Sequence, residues 1–236
     1  MVERSARASR GYAICTSPRS GSNLFGQYLS STGVLGKPLE YFNGPGRRAL
    51  GYPGYPDDPR RQIDWILSEG ATPNGIYGVK IFPAQFDEVR KSIPWTQLLP
   101  NLVFVLLKRR DLLGQAISHV RAIQTQQYRS TQLAQGVPCY DGVHIHALLQ
   151  VAARDYARWE LFFARKDIAP ITIVYEHMLA DPQAAVDQVA QLFGLRGQAR
   201  LSAECIDLEV QRDALTDHWR ARFLREYGCS SLLDMI

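Results

Sequence analysis

The chain has 236 residues, 46% hydrophobic and 21% charged, an ordinary composition for a folded protein and enough length to bury a large core. Lys and Arg outnumber Asp and Glu by 27 to 23, and a net charge of +4 is too mild to argue for nucleic acid, so an anionic small molecule is the simpler partner. No apolar stretch reaches the roughly 18 residues that would predict a membrane span.

Residues 1–10 are polar and basic and read as a flexible tail, with residues 11–236 as one domain. Residues 12–15 are a short apolar run, the pattern of a buried strand. Thr16-Ser17-Pro18-Arg19-Ser20 interrupts it, and from Ser22 the apolar positions Leu24, Phe25, Tyr28 and Leu29 fall at helical spacing. A strand, a tight loop and a helix start make an anion site, because free amides and the positive end of the helix dipole converge there. Arg19 and the hydroxyls of Ser20 and Ser22 add donors suited to phosphate. Aligned on Gly21, the nucleotide-triphosphatase pattern G-x-x-x-x-G-K-[ST] puts Ser22 at the Lys and Asn23 at the magnesium-binding hydroxyl. Both groups are missing, so the loop suits a phosphate end that needs no metal; a strand-to-helix turn with incidental serines is the plainer alternative.

The first helix is expected to stop near Gly33. Pro38 then holds the chain extended, which leaves Glu40 between Leu39, Tyr41 and Phe42. Partial desolvation there predicts a raised proton affinity, against the plainer reading of a surface charge beside packed aromatics. Residues 44–62 are rich in Gly and Pro, carry Arg47, Arg48, Arg60 and Arg61, show no periodicity, and read as a lid or binding loop before a short helix starting at Ile63. Residues 76–82 read as a second strand with Lys80 near its carboxyl end, where open α/β sheets place ligands.

Residues 102–107 are continuously apolar, as in a parallel strand buried on both faces. Arg109 follows, then a helix whose core positions are Leu112, Leu113, Ala116, Ile117 and Val120; Arg109 with Ser118 forms a second anion-binding constellation. Gln115, Arg121, Gln124, Thr125 and Gln126 extend a polar wall. Residues 143–165 follow the helical rule through Ile145, Ala152, Tyr156, Trp159 and Phe163, and residues 171–175 read as a fourth strand. Asp181-Pro182 opens a helix ending near Gly194, and the C-terminal segment 205–236 carries Arg212 and a short helix through Phe223 and Tyr227. Strands alternating with helices predict an α/β fold with a doubly wound parallel sheet. Two anion sites at strand carboxyl ends suit a ligand with two separated phosphates. Cys15, Cys139, Cys205 and Cys229 form no C-x-x-C pattern and no signal peptide precedes the first strand, so reduced thiols and a cytoplasmic location are expected. His144-x-His146 has a metal-like spacing, but on a helix its side chains diverge, so no metal site is expected.

The cradle from Thr16 to Asn23, with Arg109 and Ser118, resembles the sulfotransferases that use 3′-phosphoadenosine-5′-phosphosulfate, in particular the bacterial trehalose 2-sulfotransferase family. Further blocks match in the same order: Thr32-Gly33-Val34-x-Gly36-x-Pro38-x-Glu40-x-Phe42, Thr72-Pro73-Asn74-Gly75-x-x-Gly78-x-Lys80, Arg121-Ala122-x-Gln124-Thr125-Gln126, and Gln211-Arg212 through Asp217-x-Trp219. The resemblance implies a three-layer fold like that of P-loop kinases, with a central parallel sheet. It implies that Pro18, Arg19, Ser20, Gly21, Ser22 and Asn23 hold the 5′-phosphosulfate, and that Arg109, Ser118 and Arg212 hold the rest of the nucleotide. Glu40 would be the general base, with Arg19 and Lys80 on the transferring group, and Glu40, Phe42, Gln124 and Thr125 would meet a carbohydrate-type hydroxyl acceptor. The resemblance also implies a homodimer that shares the acceptor site, and no metal. Two departures stand out: Asn23 replaces the usual Thr, and the region after Phe42 is shorter. Read from the residues alone, a small-molecule kinase or a non-catalytic nucleotide-binding protein on the same fold remain the alternatives.

Overall fold

The computed structural model describes residues 8–229. In chain order the elements are β1 (Arg10–Cys15), α1 (Ser22–Ser31), α2 (Gly44–Ala49), α3 (Pro59–Ser68), β2 (Ile76–Ile81), α4 (Pro83–Ser92) and α5 (Trp95–Leu98). The second half continues with β3 (Leu102–Lys108), α6 (Leu112–Thr125), α7 (Gly142–Lys166), β4 (Ile171–Val174), α8 (Tyr175–Ala180), α9 (Pro182–Gln191) and α10 (Ala214–Tyr227). The strands form one parallel sheet in the order β2-β1-β3-β4, with Cys15 opposite both Ile81 and Leu106. The α/β fold with a central parallel sheet is therefore as expected. The chain leaves β1 toward β2 on one side and returns to β3 on the other. The loops beyond β1 and β3 diverge there, and such a crevice is where open parallel sheets bind ligands.

Both faces of the sheet are covered because side chains alternate along each strand. Tyr12 and Ile14 of β1, with Val105 and Leu107 of β3, pack against Phe25 and Leu29 of α1 and Val186 and Val189 of α9. Ala13 and Cys15, with Val79 and Leu106, face Phe86 of α4 and Trp159 and Phe163 of α7 on the other side. A smaller cluster joins α6, α7 and α10 through Ile117, Ile145, Trp219 and Phe223. Among the described residues no helix is long and apolar enough to cross a membrane.

Several local expectations change. The tail expected over residues 1–10 meets β1 at Arg10, and Ala8 is already buried; residues 1–7 lie outside the described residues. Residues 44–62 are not a featureless loop. Asn43 Oδ1 accepts the Gly46 amide at 3.0 Å and caps α2, while Asp58 Oδ2 accepts the Arg61 amide at 3.1 Å and caps α3. Each helix has a proline in its first turn, a pairing of signals that marks helix starts even where hydrophobic periodicity is too short to see. The bend between them is pinned by Arg48, which donates to the Tyr55 carbonyl at 2.9 Å, and by Tyr55 Oη, which donates to the Tyr41 carbonyl at 2.7 Å. The fourth strand ends one residue early, because Tyr175 opens α8. The helix at residues 143–165 and the Asp181 cap are as expected.

Candidate active site

The carboxyl ends of β1 and β3 open into a cavity of about 750 Å³, a size typical of small-molecule sites. Its floor is the β1–α1 loop. Two positive φ values shape that loop: 63° at Arg19 and 87° at Gly21. Gly21 is the N-cap of α1, and no side chain caps the helix, so the first-turn amides face the cavity without a protein acceptor. A Cβ on Gly21 would stand 2.2 Å from Cδ2 of Tyr175, so both backbone and space require glycine. The loop is braced from below. The Thr16 hydroxyl donates to the Leu107 carbonyl at 2.8 Å, Trp159 Nε1 donates to the Thr16 carbonyl at 2.9 Å, and Ser17 Oγ donates to Asp155 at 2.9 Å.

The second anion position lies beside the first, across adjacent strands. Arg109 Nη1 donates to the Arg19 carbonyl at 3.2 Å, its guanidinium lies 4.9 Å over the Tyr175 ring, and its buried Nε has no hydrogen-bond partner among the described residues. Arg19 Nε donates to Ser118 Oγ at 3.0 Å, Nη1 to the Tyr128 carbonyl at 2.5 Å and Nη2 to Gln211 at 2.6 Å. Burial, and then the nearby Arg109 charge, lower the Arg19 pKa to about 10. Two neighbouring guanidiniums, one of them with an unpartnered Nε and a carboxylate, Asp111, at 3.7 Å, give this part of the wall an excess of donors suited to anionic oxygen.

Glu40 also lines the cavity. Its Oε1 lies 2.8 Å from Lys80 Nζ, and Oε2 accepts from Asn43 at 3.0 Å and Gln85 at 3.3 Å. Lys80 also donates to Asn23 Oδ1, so one ammonium ties the carboxylate to the cradle helix. The raised proton affinity expected for Glu40 is reversed. Burial pushes its pKa up, but the Lys80 charge and the hydrogen bonds from Lys80, Asn43 and Gln85 together bring it below the ordinary carboxylate value. Lys80 is 3% exposed, and burial lowers its pKa against the pull of Glu40. The sequence shows the aromatic neighbours of Glu40 but not the lysine arriving from β2.

The cavity wall brings together Pro18, Arg19, Gly21, Ser22, Asn23, Glu40, Lys80, Arg109, Ser118, Thr125 and Arg212. Three expected residues do not present their side chains there. Ser20 is fully buried with its hydroxyl 2.7 Å from that of Thr16, because the left-handed Arg19 turns the next side chain inward. Phe42 is buried with its ring 5.4 Å from that of Trp95, so it belongs to the core instead of an acceptor surface. Gln124 points off the far side of α6, where it exchanges hydrogen bonds of 3.0 and 2.9 Å with the Cys139 backbone. Thr125 lines the wall, but its hydroxyl donates to the Arg121 carbonyl at 2.8 Å. Arg212 sits at the rim, half exposed and paired with Asp217 at 2.9 Å.

Other site residues escaped the sequence reading. Tyr175 supports both Gly21 and Arg109. Its position at the end of an apolar run was the available signal. Asn43 and Gln85 hold Glu40, and the strap of residues 126–135 covers the cavity, with Gln132 Oε1 accepting the Tyr128 and Arg129 amides at 2.9 Å each. The strap has no periodicity to read. His119 and Asp111, the alternative base candidates in the sequence, do line the wall, and burial together with Arg19 and His144 lowers the His119 pKa to about 4.

The chain matches a family model described as Stf0 sulphotransferase over residues 11–226. It is 29% identical to a trehalose 2-sulfotransferase of Mycobacterium tuberculosis (strain ATCC 35801 / TMC 107 / Erdman), covering 94% of this chain and 97% of the relative. A trehalose 2-sulfotransferase of Mycolicibacterium smegmatis (strain ATCC 700084 / mc(2)155) is 26% identical over 91% of this chain and 94% of its own length. Among solved structures, the sulfotransferase domain from the Synechococcus PCC 7002 olefin synthase aligns over 99% of this chain and 98% of that chain, with 12% identity and a TM-score of 0.46. With two thirds or more of its length inside the family match, the chain belongs to the Stf0 sulfotransferase family.

Proposed function

We propose that this protein transfers a sulfuryl group from 3′-phosphoadenosine-5′-phosphosulfate to a hydroxyl of a carbohydrate-type acceptor, trehalose or a related glycan or glycolipid, and that it works as a homodimer. The observation that carries the reading is the Asn23–Lys80–Glu40 chain, which puts one carboxylate and one buried ammonium beside the uncapped start of α1. The residues present fit the donor: the cradle offers free amides to a 5′ anion, and Arg109, with its orphaned Nε, and Ser118 offer a second position for a 3′-phosphate. When bound, the donor supplies an activated sulfuryl group on a phosphate leaving group.

The protein's part is positioning, charge stabilisation and proton removal. The α1 amides, Arg19 and Lys80 are fixed donors that offset negative charge growing on the leaving phosphate, each worth roughly a few kcal/mol when well placed. Lys80 keeps Glu40 ionised at neutral pH, the state a general base needs. Glu40 Oε2, held by Asn43 and Gln85, takes the acceptor's hydroxyl proton, which typically contributes about 10² to 10⁴ in rate. The test is calorimetry with 3′-phosphoadenosine-5′-phosphate and with ATP, each with and without magnesium, followed by transfer from radiolabelled donor to trehalose and glycans. Tight, metal-independent binding of the former supports the reading. Binding of ATP only, and only with magnesium, would overturn it in favour of a kinase.

A further inference from the structure

The cations of the cavity wall are mostly accounted for. Arg121 pairs with Asp213 at 2.7 Å, Arg212 with Asp217 at 2.9 Å and Lys80 with Glu40 at 2.8 Å. Arg19 is bonded to Ser118, Tyr128 and Gln211, and Arg109 lies 3.7 Å from Asp111. Arg47 and Arg129 also line the cavity, and among the described residues neither has an ion pair.

Arg47 is the more telling of the two. It is 5% exposed, yet among the described residues its guanidinium meets aromatic faces, 4.1 Å over Tyr52 and 5.6 Å from both Tyr41 and Tyr55, and no carboxylate. Stacking satisfies the flat face of a guanidinium and leaves its in-plane N–H groups to find acceptors. Arg47 Nε is buried and has none. A buried charge without a counter-ion is costly, and an anion entering the cavity beside it would offset that cost. The contacts running from the cradle through Lys80, Glu40 and Asn43 reach Arg47 one helical turn later, where its amide bonds to the Asn43 carbonyl at 2.9 Å. Arg129 reaches the cavity from the strap held down by Gln132 and by the bond from Arg19 to the Tyr128 carbonyl. Its charge is close enough to Lys80 to help lower that ammonium's pKa, after burial has done so.

We propose that Arg47 and Arg129, which line the same cavity, form an oxyanion subsite, so that the acceptor carries a carboxylate or phosphate besides the hydroxyl presented to Glu40. This rests on the sulfotransferase reading above and narrows its acceptor from carbohydrates in general to acidic ones.

The experiment is calorimetry on the protein saturated with 3′-phosphoadenosine-5′-phosphate, using trehalose, trehalose 6-phosphate and a glucuronic acid disaccharide as probes. A charged hydrogen-bonded contact predicts binding of an acidic probe about tenfold to a hundredfold tighter than trehalose. Preference for the phosphate alone identifies a phosphate ester, and preference for both identifies oxyanions as a class. Arg47→Gln and Arg129→Gln should each bring the acidic probes toward the affinity of trehalose. Nucleotide affinity, read in a separate titration of each nucleotide-free variant, reports whether it is folded, and Arg129→Gln, on the half-buried strap, keeps the test open if Arg47→Gln does not fold. Equal binding of all three probes, no binding of either acidic probe, or a preference that survives Arg129→Gln in a folded protein overturns the subsite. The two proposals fail separately. Sulfation of trehalose with no acidic preference sinks the subsite alone, whereas acidic preference without any sulfuryl transfer sinks the reaction and leaves the subsite standing.

Discussion

Glu40→Gln separates the chemical from the structural role of this carboxylate. Judged from its neighbours in the sequence, the change looks thermally silent. In the folded protein it removes the counter-ion of Lys80, which is 3% exposed, while Glu40 itself is 22% exposed. Breaking a fully buried ion pair costs about 3–5 kcal/mol, but here the lost partner is partly solvated and Asn23 still accepts from Lys80. A loss of about 2 kcal/mol follows, which for a chain of this size lowers Tm by roughly 4–8 °C. Turnover should fall by about two orders of magnitude or more, since amide cannot take the proton. Affinity for 3′-phosphoadenosine-5′-phosphate should hardly move, because the nucleotide end does not touch Glu40. Calorimetric melting, nucleotide titration and initial rates with saturating donor measure the three quantities. Near-wild-type turnover on an accepted substrate would refute the reasoning, and His119, on the same wall, would be the next base to test.

The remaining predictions follow from other parts of the same geometry. The acid limb of kcat/KM should lie below the ordinary carboxylate range, because Glu40 must be ionised and its pKa is held down; activity is present above that pKa and lost as pH falls through it. In Lys80→Met, burial is left unopposed by its main offset and the limb should move up, so an unmoved limb in a folded variant would show that another group titrates. Gly21→Ala should lose about 2–4 kcal/mol and most nucleotide affinity, from left-handed strain at φ 87° and the clash with Tyr175; wild-type stability would mean that the loop relaxes freely. Phe42→Ala should cost about 3–5 kcal/mol by opening the core beside Trp95, with acceptor KM unchanged in the folded fraction, and a raised KM without lost stability would return Phe42 to the acceptor surface.

What the sequence determines by itself is what neighbouring residues decide among themselves. The apolar run of residues 102–107, the helical stripe through Ile145, Tyr156 and Trp159, and the Asp181-Pro182 cap all state their structure locally, and the parallel sheet follows from their alternation. The cradle is legible for the same reason: a strand, a polar loop with Gly21 and a helix start are contiguous. Of the helices at either end of residues 44–62, the first was legible only through Asn43 as a cap, since six residues of mixed composition carry too little periodicity, and the second was legible from Ile63 onward, its true start at Pro59 being marked by Asp58. Only the tertiary structure decides the charge state of Glu40, because its partner Lys80 lies forty residues away and reaches it where Leu39 bridges Val79 of β2. The same holds for Ser20, which the left-handed turn at Arg19 faces inward, and for Tyr175, Arg47 and Arg129. Each is an unremarkable residue in its own segment and acquires a role only from the groups that the crossovers of the sheet bring opposite it. Electrostatics and packing act across space, and positions so far apart in the chain carry no pattern that a reading along it could detect.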